Sequence, residues 1–355
     1  MPKTAVGPAA GHRRRAAAAW DRATWPLSGP IGPSNVDSRR VKLKTDDRTQ
    51  EVSPMPGSIV VGLDGSAESH AAAEWAAREA ELQGLPVRLV HAWEPVPGPM
   101  AQAPLFGVET HQHWTERIPR EAAEGIRARH PGVEVATEQS TGTPADALLL
   151  ASRDADLLAL GSRALSGIGG YLVGSVGQSV IARALVPTVL VRAEEQVTDE
   201  HIRDPVGIPS AATAFRPVAL GLDIRSADDT VVDFAFHEAE LRGTAVHALN
   251  GWDLPAFCVH SLSAGVDLRD EIAREKRAGL TETLRPWRQK YPDVEVVEAS
   301  RPGSPSDLLV EASHDASLLV VGRRVRHNPF GIHIGAVTHA VLHHAEAPVA
   351  VVSHE

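Results

Sequence analysis

Between Leu157 and Arg192 the chain reads LLALGSRALSGIGGYLVGSVGQSVIARALVPTVLVR. Five glycines fall between Leu160 and Ser175, at Gly161, Gly167, Gly169, Gly170 and Gly174, and Ser175 follows the last of these. Glycine leaves the backbone amides uncovered, so a glycine-rich loop running into a helix can bring several N–H groups onto one anion. The positive end of the helix dipole favours the same anion. Phosphate is the chemistry this spacing suits. The same pattern also describes a glycine-rich turn with no ligand, and the stretch alone leaves both open.

The elements around the loop follow from its flanks. Leu157–Leu160 is a short apolar run of the kind a buried parallel strand shows. Ser175 is expected to cap a helix with Val176, Ile181 and Ala184 on one face, and Pro187 ends it before a strand over Thr188–Arg192. Upstream, SIVVGL (Ser58–Leu63) reads as the first strand, followed by a turn at Asp64-Gly65-Ser66 and an alanine-rich helix that Gly84 ends. VRLVHAW (Val87–Trp93) is the second strand. A helix over about Gln112–Arg129 and a third strand over Val133–Glu138 come next. Thr143 and Pro144 suit the N-cap and first position of a short helix running to Ser152. Strands alternating with helices predict an α/β fold with a mostly parallel sheet covered on both faces.

Composition narrows the classes. The chain has 355 residues, 43% of them hydrophobic, and no apolar run near the length of a membrane span, so a soluble, cytoplasmic protein of about two domains is expected. A net charge of −10 argues against general nucleic-acid binding. One cysteine, Cys258, excludes an internal disulfide and suits a reducing compartment. Residues 1–56 carry ten Lys/Arg against five Asp/Glu with no sustained apolar period, which predicts a disordered basic extension. Met55 stands just before the first strand, where a shorter chain could start.

The pattern then recurs. Asp64 and Trp93 correspond to Asp223 and Trp252 at one constant offset of 159 residues. Later the offset is 161, matching Gly142-Thr143-Pro144 to Gly303-Ser304-Pro305, Gly161 to Gly322, Gly174 to Gly335 and Pro187 to Pro348. A register broken once marks a tandem duplication. Two domains, 57–193 and 216–355, are expected, joined by a polar linker over 194–215.

With both repeats aligned, the chain resembles the universal stress protein family in its tandem form. VVGLDGS, VRLVHAW and GSRALSGIGGYLVGS carry the resemblance. The family's nucleotide motif is G-x2-G-x9-G-[ST]. Gly161, Gly174 and Ser175 match it, and Ala164 replaces the second glycine. The resemblance implies a Rossmann-like fold: two five-stranded parallel sheets of order 3-2-1-4-5, helices on both faces, and a crevice between strands one and four. It implies ATP as ligand, with which magnesium could enter. Asp64 would face ribose and adenine, the main chain at Ala92 the adenine edge, and Gly161, Arg163, Gly174, Ser175 and Val176 the phosphates.

The second repeat offers Asp223, Gly251, Gly322, Arg324, Gly335 and Ala336 at the matching positions. There Val325 and Ala336 depart from the motif, while Arg323, Arg324 and Arg326 add charge that could meet phosphate through side chains.

Catalysis has little support. No lysine-bearing phosphate loop is present, and Asp146 and Asp307 suit helix first turns without a catalytic role. His339 and His343 lie one turn apart with no third ligand in view, and His91 reads as packed. The expected role is a non-catalytic, or at most weakly ATP-hydrolysing, stress-response protein whose nucleotide tunes its shape or its unknown protein partners. A structural protein with vestigial loops is the alternative. The two fifth strands are apolar sheet edges. They are expected to pair within the chain as a pseudo-dimer, and a homodimer of whole chains is a further option.

Overall fold

The computed structural model describes residues 57–93, 108–164, 171–253, 265–325 and 334–355. The basic extension, Cys258 and Arg326 lie outside them. In chain order the first repeat runs β1 (Ile59–Leu63), α1 (Ala67–Gln83), β2 (Val87–Trp93), α2 (Val108–Arg129), β3 (Val135–Thr141), α3 (Pro144–Ala151), β4 (Leu157–Ala164), β5 (Tyr171–Leu172), α4 (Ser175–Arg183) and β6 (Thr188–Arg192). The second runs β7 (Val218–Gly221), α5 (Asp229–Arg242), β8 (Val246–Trp252), α6 (Gly265–Lys290), β9 (Val296–Pro302), α7 (Pro305–Ser313), β10 (Leu318–Arg324), α8 (Ala336–His344) and β11 (Val349–His354).

Local chemistry sets the helix ends. The Ser66 hydroxyl accepts from the Ser69 amide at the start of α1, and Thr143 and Ser304 do the same for Asp146 and Asp307 ahead of Pro144 and Pro305. Gly84 and Gly243 end α1 and α5 in left-handed conformations, φ 67° and 58°, where a side chain would be strained. At the glycine loop the cap differs from expectation. Gly174, at φ −61° and ψ 163°, is the N-cap of α4, and Ser175 is its first helical residue. Gly335 and Ala336 take the same places in α8. The change from serine to alanine therefore removes no cap. The two-residue strand β5, which pairs antiparallel with the end of β4, was not foreseen.

All the long strands lie in one sheet of order β3-β2-β1-β4-β6-β11-β10-β7-β8-β9. Each half has the order 3-2-1-4-5. The halves meet where β6 pairs antiparallel with β11, Leu190 opposite Val349 and Thr188 opposite Val351. Alternate strand residues face opposite sides, and each side buries a continuous core running through both repeats. Ile59, Val61, Ala159, Val218 and Leu220 lie in one core; Val60, Leu158, Leu190, Ala219 and Val349 lie in the other.

Two buried arginines lock this seam. Arg192 on β6 donates to the Ala345 carbonyl at 2.7 and 3.0 Å, to the Leu342 carbonyl at 3.1 Å and to the Ser162 hydroxyl at 3.0 Å. Arg323 on β10 donates to the Ala184 and Ala182 carbonyls at 2.5 and 3.1 Å. Each guanidinium closes the C-terminus of a helix in the other repeat, where orphan carbonyls and the dipole both favour a cation. Arg323 is thus committed to the interface, and the expectation that it serves phosphate is corrected. Replacing Arg192 by methionine leaves those carbonyls unpaired. It is expected to lower the unfolding free energy by about 3 kcal/mol, read from urea denaturation.

A second seam joins α1 to α5. Arg242 donates to both Glu79 and Glu238, all three side chains being 1% exposed, and Gln83 donates to Glu79 at 2.6 Å. Segment 194–215, expected as a polar connector, is folded against both repeats. Arg78 on α1 pairs with Glu195 at 2.5 Å and Glu200 at 3.0 Å, and Arg216 donates to the His201 and His314 carbonyls.

Burial, reinforced by the neighbouring Glu79, pushes the Glu238 carboxyl up to about 8 despite Arg242. Burial also raises Glu195, to about 7, against the attraction of Arg78. Between the ordinary carboxyl range and these values the folded chain holds protons that the unfolded chain has released. The contribution of these two carboxyls to stability is therefore full below about pH 4.5 and declines as pH rises to about 8. Urea midpoints measured from pH 5 to 8.5 should fall, and the Glu238→Gln variant should show a shallower fall.

Candidate functional site

The strand order reverses between β1 and β4 in the first repeat and between β7 and β10 in the second. At each reversal the carboxyl ends of the strands open a crevice. The first crevice is a cavity of about 410 Å³. It gathers every site residue expected of this repeat: Asp64 after β1, Ala92 on β2, Gly161 and Arg163 on β4, and Gly174, Ser175 and Val176 at the start of α4. The volume falls in the range of small-ligand sites, roughly 300–1,000 Å³.

Asp64 is held in place by its own turn. Its carboxylate accepts from the Ser66 amide at 2.9 Å and the Ser66 hydroxyl at 2.5 Å. Burial opposes ionisation, but these hydrogen bonds and the nearby Arg163 outweigh it and keep the carboxyl below its ordinary range. The buried His91 ring, through Nδ1, bonds the Leu63 carbonyl at 2.8 Å and so fixes the strand end that carries Asp64. Asn250 does the same for Leu222 at 2.9 Å in the second repeat. The packed reading of His91 is extended by this positioning role.

Two glycines of the motif have different reasons to be glycine. A Cβ on Gly161 would lie 2.3 Å from the main-chain carbon and oxygen of Glu68, so the first turn of α1 rests directly on β4. Gly161 is a packing glycine. A Cβ on Gly174 would meet nothing within 4 Å, and its backbone geometry is open to any residue. Gly174 faces the cavity. The N-terminus of α4 has no side-chain cap, which leaves its first amides turned toward that space. Gly161→Ala should therefore fail through the fold: a drop of at least about 2 kcal/mol in urea denaturation is expected.

Glu68, Ser66 and Ser69 also line this cavity and were not singled out from sequence. Their signal was available. With Ser66 as the cap, the first turn of α1 must sit beside the end of β1. Glu68 Oε1 lies 3.6 Å from Arg163 Nε. Among the described residues no three His, Cys, Asp or Glu side chains are grouped to hold a metal. His339 and His343 have ring centres 4.5 Å apart, without such a group.

The second crevice is larger, about 520 Å³, and differently shaped. Asp223, Gly251 and Gly322 line it, whereas Arg324, Gly335 and Ala336 are not among its lining residues. α5 has 14 residues to the 17 of α1, ending at the matching glycine but starting one turn later at the Asp228 cap. The missing turn enlarges the crevice, and Gly322 now meets Val231 and the His354 ring instead of a helix backbone. At the other end, the Cα of Pro305 stands 2.6 Å from where a Cβ on Gly251 would be. α7 has moved into space that the Ala92 methyl occupies in the first repeat.

The reversal in strand order, present twice and covered by helices on both faces, defines a tandem Rossmann-like α/β protein. The sequence model of the Universal stress protein family matches residues 55–192 and again 214–353. A universal stress protein of Mycolicibacterium smegmatis is 32% identical over 304 residues, covering 83% of this chain and 96% of the relative. One from Mycobacterium tuberculosis is 31% identical over 313 residues, covering 82% and 96%. The crystal structure of a universal stress protein from Archaeoglobus fulgidus superposes with a TM-score of 0.60 at 16% identity, over 83% of this chain and 98% of that one, a likeness of fold. The chain belongs to the universal stress protein family, in its two-repeat form. Among the described residues no helix is long and apolar enough to cross a membrane.

Proposed function

We propose that the first repeat binds an adenine nucleotide, ATP among them, and that the bound nucleotide tunes the shape or partners of a non-catalytic stress-response protein. One observation carries this reading. All seven residues expected to contact nucleotide line a single cavity, with Gly174 opening onto it and the uncapped start of α4 at one end. In this reading Asp64 accepts from the ribose hydroxyls and the main chain at Ala92 meets the adenine edge. Arg163 and the amides from Ser175 onward take phosphate. The ordering of a ligand between β1, β4 and α4 gives it a route to shape, since β4 leads directly to the seam at β6.

The second repeat is read differently. Arg324, Gly335 and Ala336 stand outside the cavity lining and α7 crowds Gly251, which supports a structural role for this repeat.

Native mass spectrometry of the purified chain should show one nucleotide per chain. Saturating ATP, at about 100 times Kd, should add roughly 2.7 kcal/mol of stability. Gly174→Val should keep the fold and lose that gain, because its side chain fills the space a phosphate needs. A gain that survives in Gly174→Val would place the ligand elsewhere.

A further inference from the structure

We infer that Glu68 sets how much phosphate charge the first cavity accepts, disfavouring metal-free triphosphate relative to monophosphate. The inference rests on the nucleotide reading above and adds a selector to it. Three charged side chains among the described residues line this cavity: Asp64, Glu68 and Arg163. The acids outnumber the cation. Arg163, the group that would meet phosphate, already faces Glu68, with Nε 3.6 Å from Oε1. A phosphate entering here must compete with Glu68 for the guanidinium and tolerate the carboxylate beside it. Each further negative charge adds to that repulsion while finding no second cationic side chain in the described lining.

The carboxylate has little freedom to withdraw. Its main chain rests on Gly161, where even a Cβ would lie 2.3 Å from the Glu68 carbonyl, so α1 cannot shift away from β4 without unpacking. The side chain is 20% exposed against 65% for Arg163, which makes the acid the fixed partner and the guanidinium the mobile one. The second repeat shows that the fold does not require an acid here. At the matching offset stands Ala227, in the loop left by the missing helical turn. Glu68 is thus a residue of the cavity rather than of the scaffold. Exchanging its carboxylate for an amide keeps the shape and removes the charge.

The test is a calorimetric titration of the full chain with adenosine, AMP, ADP and ATP in EDTA. Wild type should bind ATP no more tightly than AMP. Glu68→Gln should bind ATP about tenfold more tightly than wild type does, while its affinity for adenosine changes by less than about threefold. An unchanged ATP-to-adenosine ratio in Glu68→Gln overturns the assignment. So does a wild-type chain that binds metal-free ATP tenfold more tightly than AMP, a result that needs no variant to fold. Failure of all four ligands to bind wild type overturns instead the nucleotide reading beneath it.

Discussion

The antiparallel ladder between β6 and β11 is the contact on which the rest of this molecule depends. A parallel five-stranded sheet ends in an edge strand, and here both edge strands are buried along their paired length, with Thr188 the one polar residue among mostly apolar partners. Pairing them satisfies the backbone of each and makes two sheets into one. It also makes each core continuous across the repeats, so neither half buries its apolar strands alone. The arginine contacts follow from the ladder. Only when β6 and β11 are side by side can Arg192 reach the end of α8 and Arg323 the end of α4. The crevices are set by the same frame, since β4 lies between the first crevice and the seam.

Much of this was legible in the sequence because periodicity and glycine placement are local. The alternating strands, the helix cap at Thr143, and the duplication with its one change of offset all rest on neighbours in the chain. The pairing of the fifth strands was legible too, from the cost of an apolar edge. The parts that were not legible depend on contacts distant in sequence. Gly161 reads as a phosphate glycine, yet its space is taken by Glu68, ninety-three positions earlier. Arg323 reads as surplus charge beside a loop, yet its acceptors lie in the other repeat. The segment 194–215 has the polarity of a tether. What folds it is Arg78, a residue whose exposure on α1 the sequence could not give. Ser175 and Gly174 illustrate the smallest error, a shift of one residue at a helix start, where cap and first position differ only in ψ.

The two crevices show how a duplicated site diverges without loss of fold. Loss of one turn from α5 and the approach of Pro305 to Gly251 act at opposite ends of the second crevice, and the strand order is the same in both repeats. The sheet carries stability while the loops and helix starts above it carry ligand chemistry. Changes at those starts are therefore tolerated in one repeat while the other keeps its arrangement.

The buried cluster between α1 and α5 has a consequence for how the halves recognise one another. Glu79 and Glu238 are equivalent positions, as are Gln83 and Arg242, so a two-fold axis would place like against like were it not for the single arginine. Two first halves brought together by that axis would bury a pair of carboxylates and a pair of amides with no cation between them. Two second halves would bury two guanidinium groups against two carboxylates, with no amide among them. Only the mixed pairing sets one guanidinium between two acids and an amide. The ancestral symmetry has become an unequal pairing held on one polypeptide, with the single arginine supplied by the second half.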